Sequence, residues 1–494
     1  MNQNIEDYKI IKLLGRGKSA YSYLVEKDQT FFVYKQMHQE KIDYYQFDDK
    51  LEHELIAYKY LEKSSIKIPK LISFNQKEQY LIKEYIDGPT LADYISKGQF
   101  DLDAYLTLYA HAMILEDKKI NIDYFPTNFI VKDHEMVYID YEINEYNQKW
   151  DFLNWGSIFL FHQKGFEYYL KDFKDTTYLL NDEHMPLVAP VKKAFDEFIK
   201  LTKLLPIKTI INAIKKEEKS PTIKHISRIH SGFAAKVFKI ETTHKTYIYK
   251  VYDDLTKIDA IKLEIKAYQY PNRYMPKMID YDHDQNYIWM LIEYIDGMKT
   301  MDLYEQSKNG QLIDDFTDVM IHIHQEKNTK KTIDFIKEEI KEIKQINHVL
   351  NDQKVTLILE ELKRKMKSVS SIDLSRIHGD YHPWNTIHKN HKIYVIDWIY
   401  RYGDFRYDVM WTYALLYRSG FETFAKRFLK RYKESFAIDD QDFFLTLANL
   451  RWFVNVKLSL KEQQAQDLYD IIKFQSKKLN ELNPFFTEEM LSFE

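Results

Sequence analysis

Two stretches of this chain carry the same three polar residues at the same intervals, and that repeat constrains the fold more than any other feature. In R-I-H-G-D-Y-H-P-W-N-T-I-H-K-N-H-K-I-Y-V-I-D-W (Arg376–Trp398), Asn385 follows Asp380 by five residues and Asp397 follows it by seventeen. In N-I-D-Y-F-P-T-N-F-I-V-K-D-H-E-M-V-Y-I-D-Y-E, Asp123, Asn128 and Asp140 repeat both intervals. Transfer of a phosphoryl group to a hydroxyl needs such a set. One carboxylate takes the proton of the attacking hydroxyl, while an amide oxygen and a second carboxylate hold magnesium against the nucleotide phosphates. A chain that carries the set twice is expected to hold two domains of one kind in tandem.

The repeat extends beyond these loops. Tyr8–Val25 with F-V-Y-K ending at Lys35, and Ile223–Ile240 with Y-I-Y-K ending at Lys250, each predict strand, glycine turn, strand, turn, strand. A helical segment with E-x-x-A-Y follows in both, at Glu54–Tyr58 and Glu264–Tyr268. Then come Pro69-Lys70 and Pro276-Lys277, and an identical E-Y-I-D-G at Glu84–Gly88 and Glu293–Gly297. Matched blocks in one order indicate duplication. From the pentapeptide to the acidic loop the first copy takes 39 residues and the second 87. The extra length, about Ser307–Ser371, has apolar residues at helical spacing. The expected division is 1–206, a linker at 207–221 containing Lys215-Lys-Glu-Glu-Lys219 and Ser220-Pro221, and 222–494.

At 494 residues the chain exceeds one ordinary core. A net charge of −4 without a basic stripe disfavours nucleic acid as a partner. The absence of cysteine excludes disulfides, thiolate catalysis and Cys-based zinc sites. The N-terminus lacks a signal-peptide pattern and no apolar run approaches the roughly 20 residues of a membrane span, so a cytoplasmic location without membrane contact is expected.

In the second half Asp380 is the candidate base, and Asn385 and Asp397 are the candidate magnesium ligands, hard oxygens suited to that ion. Lys250 on the third strand is assigned to the α/β-phosphates, with Glu264 paired to it. Taken singly, each has an ordinary explanation as a turn cap or a solvated strand lysine. The order of the set is what carries the chemistry. Lys35, Glu54, Asp123, Asn128 and Asp140 take the same roles in the first half, except that Asn121-Ile122 stands where the second has His378-Gly379. Gly15 and Gly17 fit a glycine turn that lets backbone approach phosphate. A Walker A loop would need glycine where Lys12 stands. The second turn has Gly232 with Ser231, Ala234 and Ala235. Backbone groups of Glu84–Ile86 and Glu293–Ile295 are expected to meet a purine edge, with ATP and GTP both open. Asp408 is expected to cap a helix. His382 and Trp384 either shape the substrate mouth or simply pack. Asp314, Asp315 and Asp318 either receive a polycation or line an exposed helix face.

Through H-G-D-Y-H-P-W-N (His378–Asn385), V-I-D-W (Val395–Trp398) and G-D-F-R-Y-D (Gly403–Asp408), residues 222–494 resemble the aminoglycoside phosphotransferase and choline kinase-like family. The first half, through D-Y-F-P-T-N-F-I-V and Y-I-D-Y-E, is similar to a minimal kinase of the same superfamily. The resemblance implies an α+β chain of two tandem bilobal protein-kinase-like domains, each with a β-rich N-lobe and a helical C-lobe. It implies magnesium-dependent transfer of the γ-phosphate of ATP or GTP to a small-molecule hydroxyl by the second domain. The first domain is then a second kinase, or a regulatory module able to hold a protein partner. A pseudokinase scaffold without phosphotransfer is the alternative. Neither half has an A-P-E element, which argues against an activation-loop switch.

Overall fold

Apolar alternation and tight turns make the first repeat block a meander of β1 (Tyr8–Arg16), β2 (Ala20–Lys27) and β3 (Thr30–Met37). The β2–β3 turn is Asp28-Gln29, at φ 51° and 61°, the left-handed pair that matches strand twist in a two-residue hairpin. β4 (Leu71–Asn75) and β5 (Tyr80–Glu84) complete the sheet, which runs from a short strand at Asn4–Ile5 in the order β1-β2-β3-β5-β4. The computed structural model describes residues 4–5, 7–17, 19–38, 49–156, 189–229, 235–461 and 469–482.

Helix α1 (Lys50–Leu61) is capped by Asp49, whose side chain accepts the Glu52 amide at 3.0 Å. Then come α2 (Leu91–Ser96), α3 (Leu102–Asp117), the hairpin β6 (Phe129–Lys132) and β7 (Glu135–Tyr138), α4 (Ala189–Lys203) and α5 (Ile207–Ile214). The second repeat block forms β8 (Ile223–Ile229), β9 (Lys236–Thr242), β10 (Thr246–Tyr252), β11 (Met278–His283) and β12 (Ile288–Glu293). Its order, β8-β9-β10-β12-β11, repeats that of the first sheet.

The chain divides into two compact units, Met1–Asp253 with Ile279–Ile292 and Asp254–Met278 with Glu293–Glu494. The first unit therefore contains the second sheet. One apolar cluster joins Leu108, Phe198, Ile210 and Ile214 to Ile226, Phe238, Tyr249 and Trp289. Helix α3 also covers the edge of β8. Asp103 accepts the Arg228 amide at 3.0 Å, Thr107 Oγ1 accepts the Ile226 amide at 3.0 Å, and His111 Nε2 meets the Ile223 carbonyl at 3.1 Å. The three side chains are spaced i, i+4 and i+8, one face of a helix.

Residues 207–221 differ from a tether. They open with α5, whose Ile207, Ile210, Ala213 and Ile214 are buried in that shared core. In the following charge run Glu218 is buried and accepts hydroxyls from Thr242 and Tyr247, each at 2.7 Å. The 3–4 spacing of isoleucines turns the segment inward despite its lysines.

The second unit holds α6 (Ile258–Gln269), α7 (Thr300–Ser307), α8 (Gly310–His324), α9 (Thr332–Leu350) and α10 (Gln353–Lys365). After these come the strands β13 (Asp373–Ile377), β14 (Thr386–Lys389), β15 (Lys392–Val395) and β16 (Arg401–Gly403). The unit ends with α11 (Phe405–Arg418), α12 (Glu422–Lys433), α13 (Gln441–Lys461) and α14 (Tyr469–Leu482). The long insertion is thus helical, with Phe335, Ile336, Ile340 and Ile343 buried along α9. No described helix is long and apolar enough to cross a membrane.

Candidate active site

In both copies of the spacing, the stretch from the Asn to the second Asp is a short hairpin. In the first unit β6 pairs with β7 through Phe129↔Tyr138, and the Ile139 amide donates to the Asn128 carbonyl at 2.8 Å. In the second unit β14 pairs with β15 through Thr386↔Val395, and the Ile396 amide donates to the Asn385 carbonyl at 2.9 Å. Both hairpins close on two left-handed residues, Asp133-His134 and Asn390-His391. The Asn thus stands at the foot of one strand and the Asp just past the end of its partner. Each Asn turns its amide nitrogen back on the loop, to the Asp123 carbonyl at 3.4 Å and the Asp380 carbonyl at 3.2 Å. That leaves an amide oxygen beside a carboxylate-bearing strand end, a donor set that fits magnesium sharing its coordination with phosphates and water.

In the first unit Lys35 Nζ lies 2.7 Å from Glu54 and 2.8 Å from Asp140. Burial alone would lower Lys35, but Asp140 and Glu54 raise it above the ordinary lysine value, so the ammonium stays charged. Burial raises Glu54, whose Oε2 has no hydrogen-bond partner. Asp140 is held below the usual range by Lys35 and Lys83 despite its burial. Asp123 accepts the Phe125 amide at 3.2 Å. An ideal Cβ at Gly15 would meet no atom within 4 Å, and the Gly17 amide donates to the Ala20 carbonyl at 2.8 Å. The Glu84 amide donates to the Lys70 carbonyl at 2.9 Å, so a base edge would fall to the remaining backbone groups as far as Ile86.

Lys83 was not singled out by motif. It is 5% exposed on β5, hydrogen-bonds the Ile139 carbonyl and lies 4.6 Å from the Tyr141 ring centroid. Burial and Lys35 push it down to about 8. Its signal was a lysine inside the apolar run Tyr80-Leu-Ile-Lys83, where the second copy has Ile292.

In the second unit the Asp380 loop is held from three sides. His378 is 1% exposed, with Nε2 donating to the Ile396 carbonyl at 2.9 Å and Nδ1 accepting the Asp380 amide at 3.2 Å. Asp408 accepts the His378 amide at 3.0 Å and the Gly379 amide at 2.9 Å, and faces His324 Nε2 at 3.1 Å. The cap of α11 is Asp404, bonded to the Arg406 amide at 3.0 Å. Asp408 therefore sits one turn inside the helix, fully buried as a strut for the loop, which corrects its reading as a cap. In the first unit Asn121 donates to Asn147 and the Tyr138 hydroxyl stands 3.4 Å from the Asp123 amide, so that loop is held differently.

Asp380 keeps 46% of its side chain exposed. Oδ1 accepts Trp411 Nε1–H at 3.1 Å and Oδ2 lies 3.4 Å from His382 Nε2. Burial would raise its carboxyl, but the hydrogen bond and charge of His382 and the Trp411 N–H bring it down to about 2. Asp397 stands exposed at φ 59°, between buried Val395 and Trp398. A left-handed aspartate is strained by about 1–3 kcal/mol, and such strain concentrates at functional sites. Trp384 packs 5.6 Å from both His382 and Phe421. Asp314 and Asp318 are paired with Arg427 and Arg431, and Asp315 accepts from Gln311.

Glu264 lies half-buried on α6 in this unit, and the Glu293 amide donates to the Lys277 carbonyl at 2.8 Å. Ile295 is buried. Lys250 lies on β10 in the first unit, 8% exposed, its ammonium 5.9 Å from the Tyr252 ring centroid. Gly232 falls outside the described residues.

Residues 225–444 match the phosphotransferase enzyme family, a span that contains the whole Asp380 loop and ends in α13. No curated protein matches the chain. Among solved structures, a protein from Haemophilus somnus assigned as a fructosamine-3-kinase is 15% identical, with a TM-score of 0.42 over 54% of this chain and 95% of its own. A thermostable variant of aminoglycoside phosphotransferase APH(4)-Ia, in complex with AMP-PNP and hygromycin B, is 16% identical, with a TM-score of 0.42 over 55% and 97%. Spectinomycin phosphotransferase APH(9)-Ia, with ADP and spectinomycin, is 14% identical, with a TM-score of 0.36 over 57% and 97%.

Proposed function

We propose that residues 222–494 form a magnesium-dependent phosphotransferase that moves the γ-phosphate of ATP or GTP to a hydroxyl of a small molecule. The single observation that carries the reading is the Asp380 loop, anchored by His378 and Asp408 beside the hairpin that bears Asn385 and Asp397, inside the span matched by the phosphotransferase family. Asp380, ionised and oriented by Trp411, would receive the proton of the acceptor hydroxyl. The amide oxygen of Asn385 and the carboxylate of Asp397 would hold magnesium, which neutralises charge on the phosphates when bound.

Residues 1–206 are proposed as a second domain of the same descent, serving as a regulatory nucleotide-binding module. The specific observation behind this role is Asp140: its Oδ1 is engaged by both Lys35 and the Tyr141 amide, so one oxygen remains for an ion. A second kinase is the companion reading.

The test is Asp380→Asn and Asp123→Asn in the full chain, assayed for nucleotide consumption with a panel of hydroxyl compounds. Asp380→Asn is expected to lose about 10²- to 10⁴-fold in kcat. Undiminished consumption by that variant would falsify the assignment. Loss in Asp123→Asn of consumption that Asp380→Asn retains would make the first domain a kinase.

A further inference from the structure

Residues 58–70, which end α1 and lead into β4, leave a cavity of about 620 Å³ against α3, the start of β7 and the second sheet. That volume lies within the roughly 300–1,000 Å³ of small-molecule sites. Every residue lining it belongs to the first unit. Lys224 comes from β8, with Thr222 just before that strand and Thr243 in the turn between β9 and β10. None of Lys35, Glu54, Asp123, Asn128 and Asp140 lines it, so it is distinct from the set described above.

The interior and the mouth differ in chemistry. Inside, Ile66, Pro69, Ala104, Leu108 and Met136 are buried and apolar. Two polar side chains line the same space. Ser65 Oγ is buried without a hydrogen-bond partner. His111 spends its Nε2 proton on the Ile223 carbonyl, so the lone pair is on Nδ1. Burial keeps that ring neutral at pH 7. At the mouth, Lys63, Lys70 and Lys224 are exposed to solvent, and none of them makes an ion pair among the described residues. The cavity is lined by four lysines and two glutamates, and one of those glutamates, Glu135, is already paired with Lys67. The other, Glu62, accepts the Tyr58 hydroxyl at 3.0 Å. Surface lysines alone define no site. Here they surround an open cavity with an apolar floor and an unmet hydroxyl inside.

We propose that this cavity is an effector site for a nucleotide, with the base against Leu108 and Met136 and the phosphate at Lys63, Lys70 and Lys224. An aromatic base combines a flat apolar face with N–H donors, which suits these walls and the acceptor nitrogen of His111. A phosphate suits several mobile ammoniums, each acting as a point charge. A bare anion would leave the interior unfilled, and a neutral nucleoside would leave the mouth unpaired. The walls include residues on both sides of 207–221, so a bound nucleotide would stabilise the packing of α3 against β8. It would also touch the C-terminal end of α1, the helix that carries Glu54, the partner of Lys35. The proposal is independent of whether Asp380 or Asp123 serves phosphate transfer.

The test titrates the full chain in EDTA, without magnesium, with AMP, GMP, CMP and UMP. The matching nucleosides, ribose 5-phosphate and inorganic phosphate are the partial ligands. The comparison is a triple variant, Lys63→Gln with Lys70→Gln and Lys224→Gln, whose exposed positions spare the core. At least one nucleotide is expected to bind, to raise the melting temperature and to slow amide exchange at 63–70 and 222–224. Its affinity should fall about 10-fold or more in the triple variant. Each partial ligand should bind more weakly than the nucleotide. Absence of nucleotide binding, or an affinity that the triple variant leaves unchanged, would overturn the proposal. So would exchange slowed only around Lys35 or Lys250, or inorganic phosphate binding as tightly as the best nucleotide.

Discussion

At the scale of single residues, Lys83 and Asp408 show how buried charge is used in opposite ways. Lys83 enters a cluster already containing Lys35, Glu54 and Asp140, and its value near 8 means that the fold disfavours its charged form. A lysine whose folded value lies below the unfolded one, about 10.4, destabilises most below the folded value and is relieved as pH rises through that window. Lys83→Met is therefore expected to raise the melting temperature at pH 7, by an equivalent of about 3 kcal/mol at most, and to lose that advantage by pH 10. Paired thermal melts at the two pH values measure it, and a variant less stable at pH 7 would contradict the argument. Asp408 is the reverse case. Burial opposes its charge, but His324, His378 and the loop amides hold its carboxyl below the ordinary value. Its stabilisation is present above the unfolded value, about 3.9, and disappears as pH falls through the lower folded one. Asp408→Ala leaves two loop amides and His324 without their acceptor. It should lose about 3–5 kcal/mol of stability, and about 100-fold in kcat through displacement of Asp380. A normal kcat in a folded variant would show that the strut does not position the base.

At the scale of elements, the duplicated spacing was legible because a hairpin fixes it. Between Asn and Asp the chain must run out along one strand, turn through two left-handed residues and return, so Asp123–Asp140 and Asp380–Asp397 reproduce one geometry from unlike sequences. The helical insertion was legible for a similar reason, since isoleucines at 3–4 spacing mark the buried face of α9. The role of α5 was hidden. Its lysine-rich surroundings looked like a solvated connection, and only tertiary packing shows which of its residues enter the core. Asp408 was hidden too, because an aspartate near a helix start looks the same whether it caps its own helix or reaches another loop. The α5 reading carries its own test. Ile210 is 0% exposed, and Ile210→Ala should lower stability by about 2–5 kcal/mol, which denaturant titration of the full chain would detect. A change within about 0.5 kcal/mol would restore the picture of a tether.

At the scale of the whole molecule, the first unit joins residues on both sides of 207–221 in one core. The second sheet ends in an exposed-type edge at β8, and such edges invite aggregation unless paired or covered. Here α3 covers it, with Asp103, Thr107 and His111 satisfying the Arg228 and Ile226 amides and the Ile223 carbonyl. A fragment of residues 222–494 would bare that edge together with Ile226, Phe238 and Tyr249, so it is expected to aggregate more readily than the full chain; light scattering distinguishes the two. The seam also carries a titratable group. His111 is 5% exposed, and burial pushes its imidazole down to about 4. Its unfolded value is about 6.5, so the unfolded chain binds the extra proton first as pH falls. Stability is therefore lost progressively from pH 6.5 toward pH 4, the reverse of a histidine that gains an acid partner. His111→Gln keeps an N–H donor for the Ile223 carbonyl without a proton to gain. Across that window the variant should show a flatter stability profile than the wild type, with little difference at pH 8. Parallel slopes would mean that His111 is not the group through which acid loosens the seam.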